Sequence, residues 1–187
     1  MESKYEILDK FVQITYLVNV LKVNTNKGIE SFNNGFTSVK FKELGLADEI
    51  VSKLGPSPSL ATLKGFQDNI EDLACTYSSY IYGTMVCDLS DEDKVLLKNY
   101  AETKSSQFAT YANQYGNACL VLQGQMEKLL SSNDKSQVAE LKVRIRDLGK
   151  AITLNSNKSF EYSSYSSSYS NIASYIKGIL GSRFGLK

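Results

Sequence analysis

The amino-acid sequence predicts an all-α fold, an elongated bundle of about five amphipathic helices plus one short helix, mostly antiparallel. Three observations predict it. Apolar residues recur at alternating steps of three and four along most of the chain, the spacing that lines one face of a helix. No stretch combines strand-period alternation with hairpin turn chemistry. Start and stop signals for helices fall between the apolar runs.

The first run is Ile7, Phe11, Ile14, Val18 and Leu21. Thr25, Gly28 and Phe32 keep its phase, so the first helix is expected to pass a soft spot at residues 24–28 and reach about Asn34. Leu44, Ile50, Val51 and Leu54 give the short helix, which Gly55-Pro56-Ser57-Pro58 stops, because each proline holds its predecessor in extended geometry. Ser57 and Pro58 also suit the cap and first position of a second main helix. Its stripe is Leu63, Phe66, Ile70, Leu73, Tyr77 and Tyr80, and it is expected to end near Gly83.

Leu89-Ser90-Asp91-Glu92-Asp93 reads as the next helix start. Ser90 can cap the free amides, Asp93 holds the capping-box position, and the acids complement the helix dipole. Leu97, Ala101, Phe108, Tyr111, Tyr115, Ala118, Leu122 and Leu129 follow in one phase, with Lys104 and Gln125 as polar members. One helix of about 40 residues, about 60 Å long, is expected. Ser131-Ser132-Asn133-Asp134 makes a turn, and Val138, Leu141, Ile145, Leu148 and Ile152 form a heptad-like stripe supported by Glu140 and Arg144 four apart. Residues 162–170 are all Ser or Tyr, yet Tyr162, Tyr165, Tyr169, Ile172, Ile176 and Ile179 keep the helical spacing, so a last amphipathic helix is expected there, fraying over 181–187.

Composition bounds the function. The chain has 187 residues, 42% hydrophobic and 22% charged, as expected of a single domain spanning 1–187 with a real core. A formal net charge of +1 gives no global field to attract nucleic acid. The absence of histidine removes the usual base for a serine or cysteine nucleophile and the commonest transition-metal ligand. Cys75, Cys87 and Cys119 have no Cys-x-x-Cys spacing and are read as ordinary buried or half-buried thiols, with no disulfide framework. No phosphate loop, dinucleotide fingerprint or Glu-x-x-His pair is present, and Asp88 to Asp93 lacks the glycine and distal glutamate of a calcium loop. No enzyme, cofactor or metal site is therefore expected. Nor is a transmembrane segment, since no stretch reaches the length of a span.

Tyrosine is the unusual enrichment, with twelve copies against eight Phe and no Trp, and many lie on the apolar stripes. Core packing with each hydroxyl at the rim accounts for this. So does a cavity lined by rings whose hydroxyls orient a ligand's polar end, with Gly116, Ala118 and Gly124 either leaving room or allowing close helix approach. On the cavity reading the candidate ligand-binding residues are Tyr77, Lys104, Phe108, Tyr111, Tyr115, Leu122, Ile145, Tyr165 and Tyr169. Lys104 on its stripe, or Arg144 bordering the next, would neutralise a bound carboxylate, or else reach solvent along its neighbours.

The order of elements resembles the fungal cell-wall galactomannoprotein and hydrophobic-surface-binding family of secreted helical proteins. The resemblance rests on a first helix opening with Ile7-Leu8-Asp9 and ending in Asn33-Asn34-Gly35, a middle helix, the Leu89-Ser90-Asp91-Glu92-Asp93 start, and a later helix around Leu141 to Leu148. It implies a bundle whose interior accepts fatty acids or similar apolar ligands, in a secreted or cell-wall protein. Nematode fatty-acid and retinol binding proteins look similar at the same coarse level. The leading expectation is thus a non-enzymatic bundle that binds a hydrophobic small molecule. Its rival is a structural or interaction module that self-assembles or binds a partner, since a 40-residue helix is longer than one small core covers.

Overall fold

The computed structural model describes residues 3–27, 60–131 and 138–183, and these are helical with no strand. Among the described residues there are four long helices: α1 (Lys4–Lys27), α2 (Leu60–Tyr80), α3 (Asp91–Leu130) and α4 (Val138–Arg183). All-α is therefore the fold class. The short helix expected at 41–54, the Gly55-to-Pro58 break and the extension of the first helix to Asn34 lie outside the described residues.

Ser3 caps α1, its hydroxyl accepting the Glu6 amide at 3.2 Å. The first stripe is displaced from the expected one. Ile14 is buried, but Leu8, Val12, Tyr16 and Leu17 are buried with it, while Ile7, Phe11 and Val18 are only half-buried. Apolar residues on α1 are dense enough for two adjacent stripes, and periodicity alone chooses the wrong one.

α2 does not end at Gly83. It passes through a π-helical turn, Ile81–Met85, and one further α-turn, Val86–Asp88. The Val86 amide reaches back five residues to the Ile81 carbonyl, which inserts one extra residue into the turn. The buried face slips by one position as a result. Tyr80, expected inside, is 46% exposed, whereas Ile81, Met85 and Val86 are buried. Gly83 is not needed as a stop because the helix absorbs it in the widened turn.

The reading of Ser90 as a helix start holds. Its hydroxyl accepts the Asp93 amide at 3.1 Å and its carbonyl the Lys94 amide at 2.8 Å. The Lys94 side chain folds back into the core and donates to the Leu89 carbonyl at 2.6 Å, satisfying a group left bare by the α2–α3 turn. α3 then runs 40 residues, the expected length.

The last two expected helices are one. α4 is 46 residues long and crosses 153–161 without interruption. That stretch has no glycine or proline, and the side chain of Asn155 donates to the Ala151 carbonyl at 2.8 Å rather than competing for the helix's own amides. The Ser/Tyr segment is helical throughout, as expected.

The contacts group the chain into two compact units, Met1–Tyr100 with Ile172–Lys187, and Ala101–Asn171. In the first, α1 packs on α2. Its buried side chains include Leu8, Leu17, Ile70, Ile81, Leu97, Ile172 and Ile176. Two polar clasps tie its segments. The Tyr100 hydroxyl meets both carboxylate oxygens of Asp9, at 2.9 and 2.8 Å, beside the Tyr5 ring. The Tyr175 hydroxyl donates to the Tyr82 carbonyl in the π-turn at 2.8 Å, with the two rings edge to face. Cys75, Cys87 and Cys119 are free thiols. Contrary to expectation, Cys75 and Cys87 are exposed rather than sheltered, because both fall on the outer side of the continuous α2 and its extension.

Candidate functional site: the helical hairpin

The second unit, Ala101–Asn171, is an antiparallel hairpin of α3 and α4. Its register can be read from side chains that reach across to the opposite backbone. Ser105 and Ser166 exchange hydroxyl-to-carbonyl bonds at 2.9 and 2.8 Å. Ser159 donates to the Ala112 carbonyl at 2.9 Å, and the Cys119 thiol to the Ile152 carbonyl at 3.5 Å. Each step moves seven residues forward on α3 and seven back on α4, which is heptad pairing. Bonds of this kind demand close backbones, hence the small residues on this line. A Cβ added at Gly116 would stand 3.5 Å from the Ser159 hydroxyl. That is an ordinary van der Waals separation, so an alanine side chain would fit at this position.

The rings occupy the other line of the seam. Phe108 stacks on Tyr162 (5.5 Å between centroids, 14° between planes) and on Tyr169 (5.8 Å, 7°), and meets Tyr165 and Tyr111 edge-on at 5.3 and 6.3 Å. Tyr115 stacks on Tyr162 at 5.6 Å. Five of the nine candidate residues, Phe108, Tyr111, Tyr115, Tyr165 and Tyr169, thus come together. Tyr162, absent from the candidate set, stands at their centre with contacts to Phe108, Tyr111, Tyr115 and Tyr165. Offset-stacked and edge-on rings at these separations fill space with one another.

Of the other candidates, Lys104, Leu122 and Ile145 are half-buried in this hairpin and make none of these ring contacts, while Tyr77 belongs to the first unit. Arg144 is exposed. Beside the rings lies a buried carboxylate. Glu161 is 3% exposed, accepts the Tyr165 hydroxyl at 2.7 Å and pairs with the Lys158 ammonium at 3.6 Å. Both of these partners lie on α4 itself, at steps of three and four from Glu161.

Outside the seam the hairpin leaves large aliphatic side chains in solvent. Leu120 is 65% exposed, Leu130 63%, Val121 61% and Leu154 57%, with Val138 and Val143 also exposed. At Gly124 an added Cβ would meet nothing within 4 Å. Gly124→Ala should therefore raise stability by about 0.5–1 kcal/mol through helix propensity alone, as a denaturant titration would show.

Among the described residues, no group of three or more Cys, Asp or Glu side chains is placed to hold a metal ion, and no helix is long and apolar enough to cross a membrane. Compared with known proteins, the chain matches no family model, no curated sequence and no solved structure.

Proposed function

We propose that this protein is a non-enzymatic interaction module whose Ala101–Asn171 hairpin presents an apolar outer surface to another polypeptide. One observation carries the reading. The seam between α3 and α4 is already filled by rings, small residues and side-chain-to-backbone bonds, yet Leu120, Val121 and Leu154 stand more than half exposed beside it. Aliphatic side chains with no role in the seam and this much solvent contact are what a partner covers.

Site-specific photo-cross-linking in the producing cells tests this. A benzophenone side chain at Val121 or Leu154 should capture a polypeptide, whereas one at Arg146, which is equally exposed but charged, should capture little. Adducts absent from both apolar positions would dispose of the proposal.

A second reading, binding of a fatty acid or similar apolar molecule, is favoured by the ring cluster. Tyr111 is 46% exposed and Phe108, Tyr115 and Tyr162 are half-buried, so an acyl chain laid along the seam would meet aromatic faces with hydroxyls at the rim. It agrees with the family resemblance of the element order. A displaceable fluorescent fatty acid titrated against delipidated protein separates the two readings.

A further inference from the structure

We propose that the π-turn at the end of α2 is a register latch closed by Tyr175 of α4. With the latch closed, the turn holds one extra residue; with it open, residues 81–88 rewind as ordinary α-helix. The inference goes beyond the interaction reading and concerns the other compact unit. It rests on which amide serves which carbonyl. In an α-helix the Val86 amide would bond the carbonyl four residues back, that of Tyr82. Here it is drawn to Ile81 instead. α-Helical bonding resumes over Val86–Asp88, so the Cys87 amide does not take up the Tyr82 carbonyl either. The extra residue thus leaves one carbonyl inside the helix without an amide, and such a group must find its donor elsewhere.

Tyr175 supplies it. Its hydroxyl donates to that same carbonyl at 2.8 Å, from 93 residues along the chain. The Tyr82 and Tyr175 rings meet edge to face, 4.7 Å between centroids and 71° between planes, which fixes where the hydroxyl points. The Cys87 thiol, 3.8 Å from the same oxygen, is a longer and weaker second donor. The winding of α2 therefore depends on the docking of the last turns of α4, whose Ile172, Ile176 and Leu180 are buried in this unit.

Burial shows what the two windings exchange. Ile81, Met85 and Val86 are buried, while Gly83 and Thr84 are exposed. Rewinding to about 3.6 residues per turn would bring Thr84 to the core face in place of Val86. The rewound helix serves the Tyr82 carbonyl from its own backbone but gives up a buried valine. The π-turn keeps the valine and leaves the carbonyl to Tyr175. Each winding satisfies what the other gives up, and the Tyr175 hydroxyl decides between them.

Scalar coupling across hydrogen bonds, measured by NMR on the full chain, reads the latch directly. The Val86 amide should couple to the Ile81 carbonyl in the parent and to the Tyr82 carbonyl in Tyr175→Phe, which keeps the ring and loses the donor. Deletion of Gly83 gives an independent check. With one residue fewer, the Val86 and Cys87 amides meet the Ile81 and Tyr82 carbonyls at α-helical spacing, so the latch has nothing left to satisfy. Tyr175→Phe should therefore lower the folding equilibrium constant about tenfold in the parent and less than about threefold in the deletion chain, by urea titration. A Val86 amide still coupled to Ile81 in Tyr175→Phe overturns the proposal, as does an effect of equal size in both chains. Where the deletion chain does not fold, the coupling measurement decides alone.

Discussion

Stability should fall steeply as the pH rises above about 10, and Tyr100→Phe should make that decline shallower. Burial, then the hydrogen bond and charge of Asp9 and the neighbouring Tyr5, push the Tyr100 phenol well above the ordinary tyrosine range. Tyr82 is raised by burial and then by Tyr175, and Tyr175 by burial and then by Cys87. A raised tyrosine keeps its proton in the folded chain after the unfolded chain has lost it. The unfolded state then binds fewer protons, so its contribution, complete below pH 10, is lost as the pH climbs towards the folded value. One such proton can steepen the decline by up to about 1.4 kcal/mol per pH unit, and solvent screening at half-buried sites brings the realised slope below this ceiling. Because Phe also forfeits the bonds to Asp9, the variant should be about 1 kcal/mol less stable at neutral pH and converge on the parent at high pH. Urea titrations at intervals from pH 7 to about 11.5 would show the convergence. Parallel curves would mean that Tyr100 ionises as freely in the folded chain as in the unfolded one.

How much of this was legible in the sequence depends on whether the information is local. Ser90 announces α3 through a cap that involves only its own next residues, and the stripe from Leu141 to Ile152 needs nothing beyond its own helix. The π-turn is different. Nothing in Ile81-Tyr82-Gly83-Thr84-Met85 tells that one more residue is wound into the turn, yet that residue decides whether Tyr80 or Ile81 is inside. The fusion of the last two helices is not legible because one apolar stripe stops at Ile152 and the next begins at Tyr162, while in the structure Asn155 between them bonds within the helix.

The ring cluster was half legible. Phe108, Tyr111, Tyr115, Tyr165 and Tyr169 lie on helical stripes, but single-helix periodicity says nothing of register, so Tyr77 entered the candidate set on the same grounds and belongs to another unit. A signal for register did exist. Ser105, Ala112 and Cys119 are small and seven apart, as are Ser159 and Ser166, and two such lines on neighbouring helices are what close antiparallel packing needs. Serine on such a line looks like an interruption of an apolar stripe, but here its hydroxyl completes the contact by donating to the facing backbone.

Phe108→Ala should have the largest single effect on the hairpin, a loss of about 3 kcal/mol and a fall in Tm of roughly 6–12 °C by calorimetry. Phe108 is only half-buried, which alone would argue for less, but its ring meets those of Tyr111, Tyr162, Tyr165 and Tyr169 and holds both faces of the cluster. Removing it strands four tyrosines at once, and their mutual contacts cannot close over the gap while Ser105–Ser166 and Ala112–Ser159 fix the helix separation on either side. A double-mutant cycle with Tyr162→Ala should return about 0.5–1.5 kcal/mol of coupling beyond simple burial. The same variant divides the two functional readings. Where the rings pack one another, the loss appears in the stability of the ligand-free chain. Where they line a place for an acyl chain, Phe108→Ala leaves that stability nearly unchanged and instead weakens fatty-acid binding, because the rings of an open site have little contact to lose. The short centroid distances within the seam place the expected result with the first outcome, and with it the case for a hairpin that does its binding on the outside.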